Sequence, residues 1–199
     1  MEMILNHNYV ELCGTLEELP KYSHENHGNK FYTFPMSIPR LSGISDKINI
    51  LTKEALLVPL ALNDHIPIHV YGQIRTYNNK TDLGAKLIVN VFARDIIPEA
   101  YEFKNEVQLS GTICKQPNFR TTPLGREICD FMLAINRKYG KSDYIPCIAW
   151  GINAREISKK HIGETIKING RLQSRQYIKL IENNSVEKTA YEVSIVEFE

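Results

Sequence analysis

Apolar and polar residues alternate with a period of two along most of this chain. In NEVQLSGTI (105–113), Val107, Leu109 and Gly111 face one way while Glu106, Gln108 and Ser110 face the other. That pattern predicts a half-buried strand. CDFMLAINRKY (129–139) predicts a second strand, reached through the Pro- and Gly-containing turn region QPNFRTTPLG. YIPCIAWG (144–151) predicts a third, ETIKINGRLQSRQYIK (164–179) a long fourth and AYEVSIVEF (190–198) a fifth. The alternation breaks in INAREISKKHIG (152–163). There Ala154 and Ile157 stand three apart, the middle is polar and Gly163 follows as a candidate C-cap, which predicts a helix between the third and fourth strands.

The same order reads out of the first half. NYVELCGTL, FYTFPMSIPR, DKINILT, IPIHVYGQIRTY and KLIVNVFA are its strands. Its helix slot, KEALLVPLALND, carries Pro59 and is almost wholly apolar, so a broken helix is expected there. At an offset of 97 the halves stay in register without a gap for more than forty residues. Asn8, Val10, Leu12, Gly14 and Thr15 fall on Asn105, Val107, Leu109, Gly111 and Thr112, and Arg40 and Asp46 on Arg137 and Asp143. One insertion later, Gly72 falls on Gly170. A period near 100 residues is a domain, not a solenoid repeat. The chain therefore reads as two copies of one unit, 1–99 and 100–199. They join near PEAYEFK (98–104), a link short enough that the copies should touch. Five strands with a helix between the third and fourth is the order of the OB-fold, so the expected class is all-β, two OB-fold barrels in tandem.

Charge separates the copies. Residues 1–100 hold 9 lysines and arginines against 11 acids, and residues 101–199 hold 15 against 12. The second copy is the better site for a polyanion, but an excess this small needs help from other contacts. The composition is that of a soluble globular protein, and no apolar run reaches the ~18–20 residues of a membrane span. The N-terminus lacks the apolar stretch of a secretion signal, so a cytoplasmic place is expected. Cys13, Cys114, Cys129 and Cys147 sit in apolar contexts and read as free thiols. No GxSxG, P-loop or HExxH motif is present, and nothing points to an enzyme or a cofactor. His24 and His27 lie in a polar loop without further ligands. His65 and His69 in HIPIHV would stand about 13 Å apart along a strand, so neither pair suggests a metal site.

The second copy places aromatic and basic residues together. Tyr139 ends a strand, Tyr144 and Trp150 flank the third strand, and Tyr177 follows GRLQSRQ; Arg137, Lys138, Arg171 and Arg175 are interleaved. A ring offers a stacking face to any nucleobase, and a guanidinium pairs with phosphate and also stacks. A single-strand binder needs this combination and not the large positive field of a duplex binder. Competing readings exist. Trp150 stands near the apolar Ile148 and Cys147 and would suit a core; Arg171 and Arg175, on one face of a strand, would suit a solvated surface.

NEVQLSGTI, PNFRTTPLG, FMLAINRKYG, YIPCIAWG, NAREI and NGRLQSR, in this order over about 95 residues, closely resemble the bacterial single-stranded DNA-binding proteins. The resemblance implies base stacking on Tyr139, Tyr144, Trp150 and Tyr177, and phosphate contacts near Arg120, Arg137, Arg171 and Arg175. It implies binding of single-stranded DNA in replication, recombination or repair. The family works with four OB-folds, so two copies per chain imply a homodimer. Two departures stand out. The family's flexible acidic-tipped extension does not follow VSIVEFE, so tail-mediated recruitment of enzymes is not expected. In the first copy Ser42, Lys47 and Lys53 stand where the second has Tyr139, Tyr144 and Trp150, leaving Tyr77, Arg75 and Arg40 as contacts on a degenerate face. An adaptor of the primosome type, resembling the replication-restart protein N family, is the alternative; RNA is a second admissible ligand, because stacking does not read the 2′-hydroxyl.

Overall fold

The computed structural model describes residues 7–58, 60, 65–81, 84–98, 102–181 and 184–199 of the chain. In the first half the strands are β1 (Asn8–Leu16), β2 (Lys21–Asn26), β3 (Asn29–Pro39), β4 (Ser45–Lys53), β5 (Pro67–Thr81) and β6 (Gly84–Ile97). The second half repeats them as β7 (Lys104–Ile113), β8 (Asn118–Thr121), β9 (Glu127–Asn136), β10 (Ser142–Trp150), β11 (Thr165–Ile181) and β12 (Asn184–Phe198). The helix α1 (Gly151–Ile157) lies between β10 and β11.

Both halves close on themselves. β7 pairs with β11 on one side and, at its end, with β9 through Thr112 and Ile113. β9 continues to β10, β10 runs parallel to β12 at Cys147 and Val193, and β12 returns to β11. The circle β1–β3–β4–β6–β5 repeats this, with Ile50 and Val91 at the parallel contact. These are OB-fold barrels. Alternation places Val107, Leu109 and Ile113 of β7 inside, with Leu133, Ile145, Leu172 and Val193, as the period-two pattern requires.

Two local expectations need correction. The turn regions after β1 and β7 each contain a short extra strand, β2 and β8, so each half has six strands instead of five. The helix of the second half stops at Ile157, and Gly163 does not cap it. Gly163 has φ 96° and donates its N–H to the Ile113 carbonyl at 2.9 Å, turning the chain into β11. In the first half the helix slot holds a 3-10 turn, Glu54–Leu56. Pro59 and residues 61–64 lie outside the described residues, as do 99–101 in the joining segment.

Gly72 and Gly170 mark one event in both copies. The β5–β6 and β11–β12 ladders shift register there. A Cβ on Gly72 would sit 2.5 Å from the Phe92 carbonyl oxygen, and one on Gly170 2.5 Å from that of Ser194. Only glycine lets the strands approach this closely at the bulge.

The two barrels join along β1 and β7, which pair antiparallel from Asn8↔Leu109 to Cys13↔Lys104. Val10 faces Val107, its own counterpart in the repeat, so a pseudo-two-fold axis passes through that pair. The repeated asparagines act as peptide mimics. Asn8 donates to the Ile74 carbonyl at 2.8 Å and accepts from its N–H at 2.8 Å. Asn105 does the same with Leu172 at 2.7 and 2.9 Å.

A reciprocal clasp completes the junction. Asp143 is fully buried, and its carboxylate accepts from Arg137, from Arg75 of the first barrel at 2.8 Å and from the Thr76 N–H at 2.6 Å. Arg137 also donates to the Thr76 carbonyl at 2.9 Å. Across the pseudo-axis, Asp46 accepts from Arg40 at 2.8 Å and from the Ser174 N–H at 2.6 Å, while Arg40 donates to the Ser174 carbonyl at 2.9 Å. Each barrel thus grips the other's long strand with one Arg–Asp pair. Removing one partner of a buried ion pair leaves an uncompensated charge. Asp143→Ala should therefore lower the unfolding free energy by about 3–5 kcal/mol. Asp143→Asn, which can still accept from Thr76, should cost less. Chemical denaturation of both variants checks the order.

Candidate nucleic-acid interface

Trp150 is the last residue of β10, and its ring is not sealed in the core. It is 39% exposed, and its indole N–H donates to the Ser194 hydroxyl at 3.2 Å, which fixes the ring's edge on β12. It walls a groove of about 500 Å³. Arg120 enters this groove from β8 and Arg175 from β11. Arg40 and Ile44 enter it from the first barrel, brought there by the clasp. Ile44 is 63% exposed, an apolar side chain held at the rim.

Two carboxylates temper the positive charge. Asp130 binds the Arg120 Nε at 2.8 Å. Glu192 lines the groove half-buried, and burial raises its pKa above the ordinary carboxylate value against the pull of Arg175, Arg120 and Arg40, with Asp130 adding to the rise.

Tyr144, Tyr177 and Tyr77 are open too. Tyr144 is 46% exposed, on the same face of β10 as Trp150 and about 20 Å along the strand. Tyr177 is 38% exposed, with the Arg175 guanidinium 5.9 Å from its ring centre. Tyr77 of the first barrel is 55% exposed. It follows Thr76, whose hydroxyl accepts the Tyr144 N–H at 2.8 Å, so Tyr77 and Tyr144 flank one barrel junction. At the pseudo-equivalent junction the Lys47 N–H donates to the Ser174 hydroxyl at 3.0 Å, with Arg175 next in the chain. One junction is flanked by tyrosines and the other by cations. Lys138 is exposed on a 3-10 turn, Lys138–Gly140; the Tyr139 side chain lies outside the described residues.

The arginines divide into two groups. Arg171 and Arg175 share a strand face, as expected, but open onto different grooves. Arg171 lines one of about 810 Å³ with Phe103, Lys104 and the 39–42 segment of the first barrel. Arg137, Arg75 and Arg40, read from the sequence as ligand contacts, are bound to Asp143 and Asp46. A guanidinium paired with a buried carboxylate carries a largely balanced charge, so these three also serve as junction residues. Arg40 alone also reaches the Trp150 groove.

Sequence reasoning missed Ile44 and Glu192. No local signal marks either. Ile44 reaches the groove only through the packing of one barrel on the other, and Glu192 reads in AYEVSIVEF as a plain solvent-facing position.

Residues 104–199 match the single-strand binding protein family. The chain is similar to Single-stranded DNA-binding protein 2 of Listeria innocua, 35% identical over 82 residues, which is 37% of this chain and 50% of that protein. It is similar to Single-stranded DNA-binding protein A of Bacillus subtilis at 35% over 82 residues, 37% of this chain and 46% of that one. The chain thus spans about half the length of these relatives. The solved single-stranded DNA binding protein from Thermus aquaticus superposes with a TM-score of 0.77 at 21% identity, covering 96% of this chain and 91% of that one. The fold of both barrels is therefore shared along nearly the whole chain.

A buried carboxylate with a raised pKa destabilises the folded state once it is charged. The penalty grows as pH rises from the unfolded value to the folded one and is absent below both. Glu192→Gln should therefore raise Tm at about pH 7–8 and leave it unchanged near pH 4. Thermal melts across that range check this.

Proposed function

We propose that this chain binds single-stranded DNA with little sequence preference and performs no catalysis. The observation that carries the reading is Trp150, an open ring on a groove flanked by Arg120 and Arg175, with Tyr144 and Tyr177 open on the same barrel. Bases splayed from a single strand rest on these rings. Arg120, Lys138, Arg171 and Arg175 track the phosphates. Rings serve every base alike, which is why no sequence preference arises. The two barrels, residues 1–99 and 100–199, act as one unit, and two chains pair to present four OB-folds. The match of residues 104–199 to the single-strand binding family supports the ligand.

Trp150 is the chain's one tryptophan, so its emission reports on this groove. Oligo-dT should quench it, with an affinity that falls steeply as salt rises. Trp150→Ala should weaken binding by about 1–3 kcal/mol, the worth of one stacked base. Emission unmoved by oligo-dT at low salt would sink the reading. A parallel titration with RNA of equal length shows whether the sugar is read.

A further inference from the structure

The first barrel's face lacks counterparts of Tyr139, Tyr144 and Trp150, yet the structure places a set of rings on it. His24 of β2 stacks on Phe31 of β3, with centres 4.8 Å apart and planes 8° from parallel. Phe31 meets Phe92 of β6 at 6.2 Å. The Arg94 guanidinium lies 5.0 Å from the Phe92 ring centre. These form a ladder of three rings ending in a cation, at half-buried and exposed positions.

The ladder occupies the place of the Trp150 groove. Pairing registers fix the correspondence. His24 faces Phe31 as Arg120 faces Ile128. Phe31 faces Lys53 as Ile128 faces Trp150. Phe92 lies one residue beyond the parallel contact at Val91, as Ser194 lies one beyond Val193. The second barrel therefore has a ring on β10 and a cation on β8. The first has the cation, Lys53, on β4 and rings on β2, β3 and β6. Ring and cation have exchanged places within one groove. The acids are gone as well. Where the second barrel has Asp130 and Glu192, the first has Thr33 and Asn90.

We infer that the His24–Phe31–Phe92–Arg94 ladder, with Lys53, is a second single-strand-binding site, built from different residues than the Trp150 groove. The inference rests on the proposed function for its ligand class. Stacked aromatic rings capped by cations, without counterparts of Asp130 and Glu192, suit bases joined by phosphates.

The test uses the full chain and fluorescein-labelled oligo-dT in two lengths. One is about 8 nucleotides, enough for a single barrel, and one about 30, enough for both. Phe31→Ala with Phe92→Ala should weaken binding of the long oligomer about tenfold or more and reduce the nucleotides bound per chain. Quenching of Trp150 by the short oligomer should stay as in the unaltered protein. Lys53→Glu with Arg94→Glu, which removes no half-buried ring, should do the same and guards against a folding defect in the first variant. If both variants bind the long oligomer like the unaltered protein, the ladder is not a site, and the inference falls while the proposed function stands. If the unaltered protein binds neither oligomer, both fall. If long-oligomer binding persists without Trp150 quenching and is lost in both variants, the ladder stands and the Trp150 groove does not.

Discussion

A carboxylate sealed from water must be neutralised and hydrogen-bonded where it sits, and Asp143 meets these demands with partners from both barrels. Arg137 supplies one charge from its own barrel. Arg75 and the Thr76 N–H come from the other. Asp46, Arg40 and Ser174 repeat the arrangement with the roles of the barrels reversed. Together with the β1–β7 ladder, the two clasps fix how one barrel sits on the other. The groove beside Trp150 inherits that orientation, because Arg40 and Ile44 reach it from the opposite barrel.

The repeat is uneven for a physical reason. A clasp works only if each copy keeps its arginine, its aspartate and a hydroxyl residue on the partner strand, and the side-chain bonds that tie β1 to β5 and β7 to β11 need both asparagines. Positions on the open faces carry no such mutual demand. They differ accordingly: Trp150 against Lys53, Ser194 against Phe92, and tyrosines at one junction where a lysine and an arginine stand at the other. The glycines at the bulges are kept for the same kind of reason, since a side chain at either would collide with a carbonyl of the adjacent strand.

Electrostatics alone would make this a poor partner for a polyanion. The chain's net charge is +1, and several of its arginines are cancelled by Asp143, Asp46 and Asp130. What the second barrel offers instead is exposed rings, with Trp150 and Tyr177 both close to Arg175. Base stacking is local and survives a weak overall field, whereas long-range steering would need an excess of charge that the chain lacks.

Alternation and the 97-residue offset by themselves determined the two barrels, the order of their five main strands and the place of the second barrel's helix, but not β2 and β8; the short link gave the contact between copies. The first three rest on local periodicity or on identity between distant segments, and both are visible in one dimension. Tyr144, Trp150, Tyr177, Arg120 and Arg175 were legible as candidate contacts because ring and guanidinium chemistry is a property of the residue. The same reasoning did not show that Arg137, Arg75 and Arg40 pair with Asp143 and Asp46 at the junction. A guanidinium's role depends on what lies within about 3 Å of it, and their partners are either buried by folding or contributed by the other barrel. Tertiary structure alone decided that these arginines hold the junction and that Ile44 borders the Trp150 groove. It alone set the rings of the first barrel in one ladder, since Phe92 of β6 meets the His24–Phe31 pair of the β2–β3 hairpin only when the sheet closes.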